Sequence, residues 1–285
     1  MLECKKVAAI NDISGIGRCS MTVIVPSLSA MGIQVCPVPT AVLSAHTGFD
    51  DFVFRDLTDY IKPALEHYKK MKYKFDCIYS GFLSSEDQVD YCLEFFESFK
   101  DSLKVCDPVM GDGGKPYPTY TEKMCKRMIE LVRKADVITP NLTEAAILLG
   151  EEYQPGAMSS SEIKSWLVRL SEIGPKVVVI TSVALAGLGL CNVGYDKEHS
   201  TFWKVMCDYV PAHYSGCGDM FSSVLVGGLL KGDSLPIAIN RATAFTELAI
   251  KTTFSYSAEP SDGIMLEGCL SWLINTQVFK DYETL

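Results

Sequence analysis

Apolar residues along the chain fall into two recurring patterns. Short runs at Lys6–Ile10, Ile33–Pro37, Phe75–Tyr79, Lys104–Cys106, Val137–Thr139 and Val177–Thr181 are largely apolar, as in strands buried on both faces. Between them, Met21–Ala30, Leu57–Lys70, Glu86–Phe99, Thr121–Arg133, Thr143–Leu149 and Ser160–Ile173 read as amphipathic helices. Strand and helix alternating so regularly predict an α/β fold, a mainly parallel sheet covered by helices on both faces. Weaker strands at Leu188–Val193 and Thr201–Val205 predict an antiparallel edge hairpin. Two more helices, Asp219–Leu230 and Leu235–Thr253, lead to a tail from Gly263. No repeat, low-complexity stretch or linker interrupts the chain, so one domain over residues 1–285 is expected.

Charge narrows the partners. Lys and Arg total 26 against 35 Asp and Glu, a formal charge of −9. A polyanion-binding surface would show a basic excess, so neither nucleic acid nor an anionic membrane is expected as a partner. Eleven cysteines are scattered with no CxxC pair, mostly within apolar runs, which fits reduced thiols in a cytoplasmic protein. The apolar start Val7–Ile10 is too short for a signal-peptide core, and Val177–Leu190 is too short and too interrupted to span a bilayer.

The polar punctuation lies where strands end, the place where open α/β sheets bind ligands. Strand 1 runs into Asn11-Asp12-Ile13-Ser14-Gly15-Ile16-Gly17. A dinucleotide fingerprint is not met there, because Ser20 stands at the third glycine's place and strand 2 lacks a terminal acid. Ser215-Gly216-Cys217-Gly218-Asp219 opens a helix, where free N–H groups and the dipole favour a phosphate. A carboxylate at that point suits a general base rather than a phosphate ligand; the plainer reading is a glycine turn with a helix cap. Asp107-Pro108-Val109-Met110-Gly111-Asp112 sets two carboxylates at another strand end. Asn141 and Glu144 lie one helical turn apart, as oxygen ligands for hydrated Mg²⁺ or as an ordinary capping box.

Taken together and in order, these segments resemble the ribokinase-like superfamily and, within it, the pyridoxal kinases. Asp107–Asp112 resembles a D-P-V-M-G-D segment, Thr139–Glu144 a T-P-N-x-x-E segment, Val179–Ser182 a V-I-T-S strand end, and Gly216–Asp219 a G-T-G-D anion hole and base. Ser44–Gly48 resembles the S-N-H-T-G loop that touches the vitamin, and Ser80–Leu83 a T-G-Y turn. The resemblance spans about residues 1–255. It implies a three-layer ribokinase-like fold without a separate lid domain. The activity it implies is ATP-dependent phosphorylation of the 5′-hydroxymethyl group of a vitamin B6 compound by a homodimer.

The same resemblance carries roles to single positions. Asp219 would be the base, with the amides of Gly216, Cys217 and Gly218 around the transferring phosphoryl group. Asp107, Asn141, Glu144, Thr139, Thr181 and Ser182 would bind ATP; Asp107, Asp112 and Glu144 would organise Mg²⁺, and a K⁺ requirement stays open. Asp12, His46, Thr47 and Phe82 would surround the pyridine ring. Three positions depart from the pattern: Cys217 replaces Thr, Asp12 replaces a frequent Ser, and Phe82 replaces Tyr. A thiol at a helix N-terminus is expected to have a lowered pKa. Asp12 is similar to the acid in the first loop of hydroxymethylpyrimidine kinases, which keeps that substrate as the alternative. A non-catalytic sensor would have no use for an acid at Asp219.

Overall fold

The computed structural model describes residues 4–117, 120–275 and 281–285. Its core is a ten-stranded sheet flanked by helices. The elements in chain order are β1 (Lys6–Ile16), α1 (Met21–Ala30), β2 (Gln34–Ala45), β3 (Phe54–Asp56), α2 (Thr58–Lys70), β4 (Cys77–Ser80), α3 (Glu86–Ser98) and β5 (Leu103–Cys106). A small hairpin of β6 (Gly111–Asp112) and β7 (Lys115–Pro116) follows, then α4 (Glu122–Lys134), β8 (Val137–Ile138), α5 (Leu142–Leu149) and α6 (Ser160–Ile173). The last third contains β9 (Val177–Leu185), β10 (Gly189–Asp196), β11 (Thr201–Met206), α7 (Cys217–Leu230), α8 (Leu235–Ser255), α9 (Leu270–Ile274) and β12 (Tyr282–Thr284).

The strand order is β12-β11-β10-β9-β8-β5-β4-β1-β2-β3. All neighbours from β9 to β2 pair in parallel, and β3, β10, β11 and β12 add antiparallel edges. One sheet face buries α2 to α6 in a cluster that includes Ile61, Leu65, Phe95, Met128 and Leu167. The other buries α1, α7, α8 and α9 around Ile24, Leu28, Val224 and Phe245. The expected layered α/β architecture is therefore present, as is the β10–β11 edge hairpin.

Strands 1 and 2 run well past their expected ends at Ile10 and Pro37. Polar Asn11, Asp12 and Ser14 read as loop formers, yet β1 keeps pairing with β2 as far as Ile16 opposite Ala45. The register slips once, between Asn11 and Ile13, where two steps of β1 match three of β2. Short β3 then pairs with Ala41–Leu43, widening the projecting end of the sheet. The β6–β7 hairpin was likewise unexpected; Gly113 and Gly114, at φ 58° and 79°, make the left-handed two-residue turn that hairpins favour.

This topology decides where a ligand can lie. β1 pairs with β4 only over Val7–Ile10, and its next neighbour in sequence, β2, lies on the opposite side. The chain thus departs in opposite directions from β1 and β4, leaving a crevice beyond their carboxyl ends. On the α2–α6 face of the sheet, Phe95 is fully buried, with Tyr68 and Phe99 ring centroids at 6.4 and 6.0 Å. Phe95→Ala should cost about 3–5 kcal/mol, a typical cost for a buried aromatic. Urea unfolding would check this, and a loss below about 1 kcal/mol would mean the site collapses or is already loose.

Candidate active site

Segments from several strand ends and from the starts of α5 and α7 meet at the crevice. Gly216 enters α7 at φ 86°, and a Cβ there would sit 2.2 Å from the Arg18 carbonyl oxygen, so only glycine allows this approach. Three residues on, Asp219 turns back toward β1. Its Oδ2 accepts the Ser20 backbone N–H at 2.8 Å, and Asn11 Nδ2 lies 3.4 Å from its Oδ1. Burial, with the Asp12 carboxylate nearby, pushes the Asp219 carboxyl up to about 6 against those two donors.

Asp107 follows β5 and is buried. The Ser222 hydroxyl is 2.9 Å from both Asp107 Oδ2 and Thr139 Oγ1. Its one proton serves the carboxylate or the threonine oxygen, one at a time. Burial and the charge of Asp219 push Asp107 up to about 7. Glu144 is also buried, and both alternatives read from its sequence context meet here. Asn141 and Glu144 form a complete capping box, with Glu144 Oε2 accepting Asn141 N–H at 2.8 Å. Its Oε1 reaches across to Met110 N–H at 3.1 Å, tying α5 to the Asp107–Asp112 segment. Burial and then Asp107 hold its carboxyl well above the usual range.

Other residues lie further out. Thr181 bridges to Asn141, and its N–H donates to Pro140 O at 3.0 Å. Ser182 is exposed at φ 56°, held by Asn192 Oδ1, which accepts its N–H at 2.9 Å. Asp112 is exposed on the β6–β7 hairpin, and its Oδ2 lies 3.4 Å from His213 Nε2.

On the β1 side, Asp12 is buried and accepts the hydroxyls of Ser14 at 2.9 Å and Ser20 at 2.5 Å. Arg18 turns elsewhere, to Glu267 at 2.7 Å. His46 accepts Gly48 N–H at Nδ1, 3.0 Å away, so the proton sits on Nε2 and donates to Ser261 O at 2.8 Å. With both nitrogens occupied, the ring face is what His46 presents. Phe82 is buried, its N–H held by Asn11 Oδ1 at 2.9 Å; Thr47 is exposed on the loop after β2.

The lowered pKa expected for Cys217 is overturned. Burial, the largest influence, and the nearby Asp219 charge push the thiol up to about 12. Four residues of the site were given no role from the sequence: Asn11, Ser14 and Ser20, which lie in or just after the polar segment that follows strand 1, and Ser222. Their roles come from contacts between segments far apart in the chain.

Among the described residues no three acids, histidines or cysteines converge closely enough to enclose a metal ion. The donor set nonetheless suits Mg²⁺, which takes only one or two carboxylates and keeps waters and nucleotide phosphates as its other ligands.

Comparison with known proteins places this geometry. The sequence model described as phosphomethylpyrimidine kinase matches residues 25–262. A Bacteroides thetaiotaomicron protein assigned to the phosphomethylpyrimidine kinases, solved with pyridoxal, is 45% identical; the match covers 99% of this chain and 100% of that one at TM-score 0.95. Pyridoxal kinase of Lactobacillus plantarum superposes at TM-score 0.87 with 27% identity over 95% of this chain and 97% of that one. Pyridoxal kinase of Arabidopsis thaliana is 29% identical over 79% of this chain and 72% of its own length. The chain belongs to the phosphomethylpyrimidine kinase family and, within the ribokinase-like superfamily, groups with the pyridoxal kinases.

Proposed function

We propose that this kinase transfers the γ-phosphoryl group of ATP to the 5′-hydroxymethyl group of a vitamin B6 compound. The observation that carries the reading is Asp219: a buried-side carboxylate in the first turn of α7, directly after a glycine-built helix entry, at the sheet's switch point. A carboxyl raised to about 6 is ionised at neutral pH yet basic enough to take a proton from an attacking hydroxyl. The α7 N–H groups of Gly216–Gly218 face the transferring phosphoryl oxygens, as a helix N-terminus does for anions. The pyridoxal bound to the Bacteroides relative supports vitamin B6 over a pyrimidine as the ring.

Asp12, His46, Thr47 and Phe82 form the ring's side of the crevice, and Thr181 and Ser182 the nucleotide's side. Mg²⁺ bound with ATP would neutralise the phosphate charge. Asp107, Asp112 and Glu144 would hold it, largely through water. Thr139 and Ser222 keep Asp107 oriented; Asn141 does the same for Glu144 through the capping box. The chain acts as one domain, and its eleven free cysteines suit the cytoplasm. No helix of the described residues is long and apolar enough to cross a membrane. A homodimer is supported by the projecting end of β1–β3, which leaves Ile16, Val42, Val53 and Phe54 exposed.

Three measurements test this reading. Asp219→Asn should lower turnover of pyridoxal, pyridoxamine or pyridoxine by roughly 10²–10⁴ while ADP binding persists. The wild-type rate should fall as pH drops through about 6, where the base becomes protonated. Near-wild-type turnover by the variant, or faster wild-type turnover of hydroxymethylpyrimidine than of any vitamer, would count against the assignment.

Glu144→Gln should raise the Mg²⁺ concentration giving half-maximal rate, because an anionic oxygen at the hydrated ion is lost. An unchanged titration returns Glu144 to a capping role alone.

Val53→Glu places a charge on the 72% exposed apolar residue at the projecting end. Sedimentation should show twice the chain mass for the wild type and the single mass for the variant. A wild-type monomer would rule out this dimer.

A further inference from the structure

Asn11 is only 1% exposed, and its amide contacts three separate parts of the site. Oδ1 accepts the N–H of Asp12 at 2.9 Å and the N–H of Phe82 at 2.9 Å. Both partners are donors, which fixes the amide: the oxygen faces them and Nδ2 faces Asp219 Oδ1 at 3.4 Å. The turn after β4 closes tightly on this group. A Cβ on Gly81 would lie 2.3 Å from Asn11 Nδ2, so glycine is required for the approach. The side chain therefore reaches from the register slip of β1 to the Phe82 loop and the first turn of α7.

We propose that Asn11 is a positioning residue that sets the ring-binding loop and the base in one register. This rests on the reading of Asp219 as the base. The donor arm holds Oδ1 of Asp219 while Ser20 N–H holds Oδ2, so the carboxylate has a defined orientation toward the substrate hydroxyl. The acceptor arm anchors Phe82, whose ring borders the place of the pyridine. A separation of 3.4 Å is long for a hydrogen bond, as catalytic contacts often are before substrate binds. Hydrolytic water is not needed for this role; what the amide supplies is orientation.

The groups facing Asp219 are Asp12 on β1, Asp107 after β5, Tyr79 on β4, Tyr117 after β7, Cys19 ahead of α1 and Cys217 on its own helix. All of these side chains are kept when Asn11 is changed; Asp12, whose N–H Oδ1 accepts, also comes to face the new charge. Asn11→Asp keeps an oxygen for the two N–H groups and replaces the donor facing Asp219 with a like charge. Its kcat should fall about tenfold or more, with KM for the vitamer within about threefold of wild type. The acidic limb of its kcat profile should move to higher pH, because a like charge raises the pKa of Asp219.

In an Asp219→Asn background the same substitution should change the residual rate less than about threefold, since the two side chains act as one unit. An unchanged kcat and pH profile in Asn11→Asp, or an undiminished effect in that background, overturns the proposal. Turnover near wild type in Asp219→Asn alone instead overturns the base assignment, so the two failures are distinct. If Asn11→Asp does not fold, Asn11→Ser shortens both arms. Lower kcat, higher KM and the same pH shift are expected there, and a wild-type kcat overturns the proposal.

Discussion

Four carboxylates, Asp12, Asp107, Glu144 and Asp219, crowd the carboxyl end of one sheet, and this concentration of negative charge governs the rest of the site. Removing an ionised carboxylate from water costs several kcal/mol unless protein dipoles replace the hydration. Here the replacement comes from serine hydroxyls on Asp12, from Ser222 on Asp107, from two backbone N–H groups on Glu144, and from Ser20 and Asn11 on Asp219. Compensation is partial, and all four carboxyls have raised pKa values. Such a site gains from any proton or cation that enters. A nucleotide carrying its metal ion satisfies the Asp107–Glu144 side, while a substrate hydroxyl offers its proton to Asp219. The excess charge thus explains both the place of the cation and the readiness of the base.

Much of this was legible along the chain because the relevant signals are local. The central strands begin as short apolar runs, and several of the helices between them open on a side-chain cap, as at Ser85, Thr121 and Asn141. Glycines at 216 and 218 beside Asp219 mark a helix entry with a charge in its first turn. These features depend on a few neighbouring residues and so survive reading without coordinates.

Features that depend on distant pairing were not legible. Asn11, Asp12 and Ser14 have the composition of a turn, yet pairing with β2 keeps them in a strand and the register slip sits among them. Cys217 has the local setting of a reactive thiol, but packing around it removes the solvation a thiolate needs. Asn11 is one amide among many until Phe82 N–H, more than seventy residues away, fixes its orientation. In each case tertiary surroundings reverse or create the chemistry that the local sequence suggests.

Backbone contact, rather than side-chain packing, finally determines where the base lies. Arg18 is enclosed between two glycines: a Cβ at Gly216 would lie 2.2 Å from its carbonyl oxygen, and one at Gly263 would lie 2.5 Å from its nitrogen. Two residues later Ser20 adopts φ 51° and ψ −132°, a conformation costing a side-chain-bearing residue about 1–3 kcal/mol. Glycine would relieve that strain but would lack the hydroxyl that reaches Asp12 at 2.5 Å. In the strained conformation the same residue also directs its N–H to Asp219 at 2.8 Å. Ser20 therefore joins the carboxylate on the ring's side to the carboxylate on the phosphoryl side. Two charge-assisted hydrogen bonds, each worth about 1.5–3 kcal/mol, are enough to offset the strain. The spacing between ring site and base follows from a single turn of backbone held between glycines.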